Sequence, residues 1–201
     1  MEYAVIFLPL IGSILGYLSK FIKNFLPLII TNLFILVSAV LSILIFYNGI
    51  TLNDYENHLI FEWVSSGDFV VNWSINIDPL SSIMLVVVSL ISFLVHFYSI
   101  GYMRYDPNKA RFMSYLSLFT FSMMVLVVSD NFLQLFFGWE GVGLCSYFLI
   151  GFWYKKNSAN QAAIKAFLVN RVGDLGLAIG IFLIFLFCKT LNFQEVFQSV
   201  P

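Results

Sequence analysis

Charge is scarce in this chain. Only 10% of its 201 residues are Asp, Glu, Lys or Arg, against about 25% in soluble domains, which excludes a water-solvated globule. The basic residues never form a block and no glycine-rich phosphate cradle occurs, so there is no nucleic acid or nucleotide reading. Cysteine is nearly absent. Cys145 and Cys188 lie far apart in apolar segments, without metal-ligand spacing or a disulfide framework. No basic residue precedes the first apolar run, whose only charge is Glu2, so it reads as a retained helix rather than a cleaved signal.

Hydrophobic residues fill the space that charge leaves. They make up 60% of the chain, 23 of them Phe, and the mean hydropathy of +0.91 belongs in a lipid bilayer. Apolar runs of spanning length cover residues 3–18, 25–47, 79–103, 112–129, 131–153 and 162–187. Lys20 and Lys23, then Arg104, Lys109 and Arg111, then Lys155 and Lys156 fall in alternate loops; Asp54, Glu56, Glu62, Asp68 and Asp130 fall in the others. Positive residues stay inside, so the pattern predicts a multi-pass membrane protein with its N-terminus outside. In the long outer loop, residues 59–63 and 71–77 alternate with period two around Ser65-Ser66-Gly67-Asp68, which predicts a β-hairpin. A lone hairpin is marginal, so it is expected to lean on the membrane domain or a neighbour. The fold class is therefore an all-α integral membrane protein of about six transmembrane helices, with one β-hairpin in the outer loop.

Charged groups inside the spans are few and specific. Glu140 lies near the middle of the fifth run, where an unpaired charge costs on the order of 3 kcal/mol on the mildest insertion scale. Gly138, Gly141 and Gly143 flank it and would admit another helix backbone. In the sixth run Arg171 and Asp174 share a helix face and can pair, either as a structural unit or as part of a conduction path. Lys165 lies on the opposite face, near the inner edge, where it can snorkel or join a buried polar chain. His96 in the third run could relay protons or make a satisfied interhelical hydrogen bond. Asp78-Pro79 reads as a helix start, Asp130 as the cap of the fifth helix. Trp63, Trp73, Trp139 and Trp153 need nothing beyond packing and interfacial belts. Residues 193, 196, 197 and 200 are apolar at helical spacing and predict a short outer amphipathic helix.

Three motifs carry a resemblance. Asp130-Asn-Phe-Leu-Gln-Leu-Phe-Phe-Gly-Trp-Glu-Gly-Val-Gly-Leu-Cys-Ser-Tyr, Ala162-Ala-Ile-Lys-Ala-Phe-Leu-Val-Asn-Arg-Val-Gly-Asp-Leu-Gly and Val95-His-Phe-Tyr-Ser-Ile-Gly-Tyr-Met resemble the N-terminal third of the distal antiporter-like subunit of respiratory complex I, chain 5 or subunit L. The resemblance implies that Glu140 belongs to a proton channel, with Lys165, Arg171 and Asp174 at matching charged positions. It implies a division into 1–78 (two helices and the hairpin), 79–111 (a third peripheral helix and basic loop), 112–187 (the opening of an inverted repeat) and 188–201 (a lead toward a seventh helix). That seventh helix, with a lysine partner for Glu140, and a second repeat are expected on another chain, so this one is expected to be a fragment, a truncated sequence or half of a split gene. NAD, FMN, iron–sulfur clusters and quinone are expected in other subunits, with no cofactor in this chain. Its partners would be the lipid bilayer, other membrane-arm subunits and above all the adjacent antiporter-like one. The membrane would be the mitochondrial inner or the bacterial plasma membrane. A large subunit of a multisubunit Na⁺/H⁺ antiporter or membrane hydrogenase, and a non-pumping structural or assembly element, are the alternatives.

Overall fold

The computed structural model describes residues 1–21, 25–52, 57–67 and 69–199. Lys23, Asp54, Glu56, Asp68 and Val200, used above for charge placement, the hairpin turn and the last helix, lie outside the described residues. Six helices are long and apolar enough to cross a membrane: α1 (Glu2–Ser19), α2 (Leu26–Leu52), α3 (Pro79–Tyr102), α4 (Lys109–Val127), α5 (Phe132–Ile150) and α6 (Asn157–Cys188). Strands β1 (Asn57–Ser66) and β2 (Phe69–Asn76) form an antiparallel hairpin between α2 and α3, and the short α7 (Phe193–Ser199) closes the described chain. Helix α6 begins earlier than expected, because the polar stretch 157–161 continues the same helical turn.

Within a bilayer, small side chains and polar bonds replace the hydrophobic effect in joining helices. Ser38 Oγ donates to Val5 O (2.7 Å), tying α2 to α1, and Ser13 Oγ donates to Ser114 O (2.8 Å), tying α1 to α4. The Ser42 and Ser89 hydroxyls meet at 2.6 Å between α2 and α3. A Cβ added at Gly16 would lie 2.6 Å from Thr31, so glycine sets that α1–α2 approach. Gly138 and Gly141 do the same for α5: added Cβ atoms would lie 2.7 Å from the Leu126 backbone and 2.8 Å from Ser122, both on α4. The helix that this glycine face admits is therefore in the same chain, while an added Cβ at Gly143 would meet nothing among the described residues.

The two ends of the bundle differ in chemistry. At one end Asp78 caps α3, accepting from Ser81 N (2.6 Å) while Ser81 Oγ accepts from Asp78 N, with Pro79 in the first turn. The hairpin leans on this end. Asn76 N donates to Val128 O (3.0 Å), the Gln134 amide bonds both Ser74 N and Ser74 O, and Asn131 Nδ2 donates to Asn72 O (2.8 Å). Trp63 and Trp73 pack edge-on against Phe137 of α5, and β1 contributes His58 to the Glu2 carboxylate. Asn131, not Asp130, caps α5, because its side chain accepts from Gln134 N (2.8 Å). Asp130 is instead buried, with Oδ2 accepting from Ser74 Oγ (3.1 Å) and Asn192 Nδ2 (2.9 Å), which joins the hairpin, the α4–α5 turn and the lead into α7. At the other end lie Lys20, Arg104, Lys109, Arg111, Lys155 and Lys156.

Candidate functional site

Helices α5 and α6 run antiparallel and bring their mid-span charges face to face. Arg171 Nη1 donates to Glu140 Oε1 at 2.6 Å. The expected Arg171–Asp174 pair is therefore not what forms. Spacing permitted it, but the α5–α6 crossing presents Glu140 to the guanidinium, and the ring of Phe167, one turn earlier on α6, lies 4.7 Å from it. The expectation that Glu140 must draw its cation from another polypeptide is corrected by the same contact: α6 supplies one.

Asp174 finds a different partner. It is buried, and Trp139 Nε1 donates to its Oδ1 at 2.9 Å. Sequence reasoning gave Trp139 no role. The signal was an indole N–H in an apolar span, which needs an acceptor. Trp139 and Glu140 are consecutive on α5 and reach Asp174 and Arg171, three apart on α6, so four side chains close two polar bonds across one helix crossing. A cleft of about 240 Å³ opens beside them, lined in part by Trp139, Gly143, Ser146, Asn170, Gly173 and Asp174. It brings polar oxygens and a carboxylate to the edge of the α5–α6 contact.

Lys165 and His96 stand apart from this group. Lys165 is exposed on the far side of α6 and has no hydrogen-bond or ion-pair partner among the described residues. His96 is fully buried between α2, α3 and α4. Its Nδ1 donates to Ser92 O (2.8 Å), because a carbonyl can only accept, which leaves Nε2 as the second ring nitrogen. That Nε2 is buried without a partner, so the side-chain bond stays within α3 and is not the interhelical one expected. No bond from His96 reaches Glu140, Arg171 or Asp174.

The arrangement is chemically simple. A carboxylate carries its charge inside an apolar span because a guanidinium lies on it, and a second carboxylate one turn away on α6 is held by a neutral donor. Among the described residues there is no cluster of His, Cys, Asp and Glu that could hold a metal ion.

Comparison with known proteins bears on the family and the fold. Residues 63–113 match the family described as NADH-ubiquinone oxidoreductase (complex I), chain 5 N-terminus, and residues 129–200 match the NADH:quinone oxidoreductase/Mrp antiporter transmembrane family. The chain is similar to NADH-quinone oxidoreductase subunit L of Rickettsia bellii (48% identical, covering 98% of this chain and 31% of that protein). It is also similar to NADH-ubiquinone oxidoreductase chain 5 of Phytophthora infestans (50% identical, 98% and 30%) and of Arabidopsis thaliana (48%, 100% and 30%). It thus spans about a third of the length of these relatives. Among solved structures, a chain of the membrane-bound sulfane sulfur reductase, an archaeal respiratory membrane complex, shares the fold with a TM-score of 0.84 at 18% identity, covering 100% of this chain and 40% of that one. The chain is a multi-pass membrane protein belonging to the complex I chain 5/subunit L family.

Proposed function

We propose that this chain carries part of a proton path in the membrane arm of NADH:quinone oxidoreductase, with Glu140 as the proton-carrying group. The observation that supports the reading most directly is the Glu140–Arg171 ion pair beside the Trp139–Asp174 bond, inside two apolar spans. In hydrocarbon an uncompensated charge is costly. Glu140 can stay ionised while the guanidinium lies on it and is better neutral once the guanidinium leaves. Asp174, on the same helix as Arg171, offers the alternative anion. A device that swings Arg171 between the two carboxylates would load and unload a proton at Glu140. Lys165 would extend the path toward the basic end, and His96 would serve the packing of the first four helices rather than this path.

On this reading the chain holds no cofactor, and NAD, FMN, iron–sulfur and quinone chemistry belongs to other subunits. The partners are membrane-arm subunits, including the adjacent antiporter-like one, and a polypeptide supplying further antiporter helices against the open side of α6. The Na⁺/H⁺ antiporter reading shares the second family match, but the relatives compared at 48–50% identity are complex I subunits, which favours the oxidoreductase. The test is proton pumping by the assembled complex carrying Glu140→Gln. We expect most pumping to be lost with assembly intact. Full pumping by that variant would overturn the reading, and would leave a non-pumping structural role.

A further inference from the structure

We propose that the cleft at the basic end of the bundle is a binding site for the phosphate headgroup of an anionic phospholipid. The cleft, of about 330 Å³, lies where the end of α1, the start of α2 and the α3–α4 turn meet, and Tyr17, Lys20, Pro27, Asn108, Lys109 and Arg111 line it. Three cations from two separate segments thus face one cavity. Among the described residues none of the three has an ion-pair partner within 4.0 Å. The acid of the same turn, Asp106, is otherwise engaged: Oδ1 accepts from Asn108 N (2.7 Å) and Oδ2 from Trp153 Nε1 (3.3 Å).

The cations keep donors free. Among the described residues, Lys20 Nζ donates only to the Tyr17 hydroxyl (3.4 Å) and Lys109 Nζ only to Arg104 O (3.2 Å), out of three N–H bonds each. Arg111 is steadied by Nη2 donating to Phe152 O (3.0 Å) and by the Phe152 ring, while its Nε is buried without a partner. Helix α4 starts at Lys109, so its positive end adds to the field, and its N-cap Asn108 makes no side-chain cap bond. A dense positive site with unspent donors calls for an anion with several acceptor oxygens, which a phosphate group provides. The surroundings choose a lipid over a free ion. The cleft sits at the ends of the spans, and Leu18, Phe21 and Phe25, neighbours in sequence of its lining residues Tyr17, Lys20 and Pro27, are exposed to receive acyl chains. Basic pockets between spans on the inner side are a recurrent form of headgroup recognition.

The experiment follows the lipid. The chain in its membrane assembly is transferred to phosphatidylcholine membranes containing a minority of phosphatidylglycerol, and bound lipid is identified by native mass spectrometry after detergent extraction. We expect the wild-type chain to retain phosphatidylglycerol, and Lys20→Gln with Lys109→Gln to lower retention about tenfold or more. Lys20→Arg with Lys109→Arg, which keeps the charge, is expected to retain it. Lys155→Gln with Lys156→Gln, which removes equal charge at the same end outside the cleft, is expected to leave retention unchanged. Equal loss in both glutamine variants would reduce the effect to diffuse surface attraction and overturn the proposal. So would equal retention of phosphatidylcholine, or displacement of the lipid by millimolar inorganic phosphate, which would make the site one for the free ion.

Discussion

Arg171 could reach either of two carboxylates, and the choice decides which substitutions compensate one another. With the guanidinium on Glu140, neutralising one partner strands the other's charge, whereas neutralising both removes the problem. We expect a double-mutant cycle of Glu140→Gln and Arg171→Gln, read by thermal unfolding of the detergent-extracted assembly, to give a coupling of about 1–3 kcal/mol. The Arg171→Gln and Asp174→Asn cycle should give a clearly smaller value. The reverse order would mean that the pair along α6 is the real one. Trp139→Phe keeps an aromatic ring at this position and removes the indole N–H, with its five-membered ring, that donates to Asp174. A hydrogen bond to a charged group is worth about 1.5–3 kcal/mol, so a loss of that order in unfolding free energy is expected, and no loss would show that the bond is idle. Glu140, Arg171 and Asp174 were legible in the sequence because charge is rare in an apolar run. Their pairing was not, because spacing along one helix says which groups can meet but not how a second helix is rotated against it. Trp139 was passed over because tryptophan is common at membrane edges, and only the crossing reveals an acceptor for it.

Helix α5 has two glycine environments, and they call for opposite outcomes. Gly138 lies against the Leu126 backbone, so Gly138→Ala forces a Cβ to within 2.7 Å of a main-chain nitrogen and must push α4 and α5 apart. Overpacking of this kind costs about 1–3 kcal/mol. Gly143→Ala meets nothing among the described residues and should leave unfolding of the chain itself unchanged, and comparing the two thermal transitions checks the contrast. The helices themselves were readable from apolar run length, and Asp78-Pro79 announced the start of α3 correctly. The hairpin was readable from its alternation, although its register shifts between Leu59 and Phe61 and again between Glu62 and Val64. Such bulges insert residues without changing composition, so period-two reading cannot find them. The Asp130–Asn131 exchange has a similar origin. Both side chains can cap a helix, and only the neighbouring strand shows that Asp130 is needed elsewhere.

The molecule as a whole is polarised: a hairpin and a carboxylate-centred knot at one end, cations at the other, and the ion pair between. Its α6 flank is incomplete. The Arg171 side chain is 47% exposed, and an added Cβ at Gly173, Gly176 or Gly180 would meet nothing among the described residues. A half-open guanidinium facing hydrocarbon is unfavourable, and a bare glycine stripe suits a close helix. We therefore expect the purified chain alone in liposomes under a pH gradient to show no proton flux that depends on Glu140; such flux would show that no partner is required. The knot at the hairpin end also carries a history. The Ser74 backbone N–H donates to Gln134 Oε1 and its carbonyl accepts from Gln134 Nε2, 60 residues later, and Asp130 accepts from Asn192, 62 residues after it. During synthesis β2 is made before its anchors, so these bonds can form only after the start of α5 has followed it. The latch can shut only after α6 has crossed back, because Asn192 follows that helix in the chain.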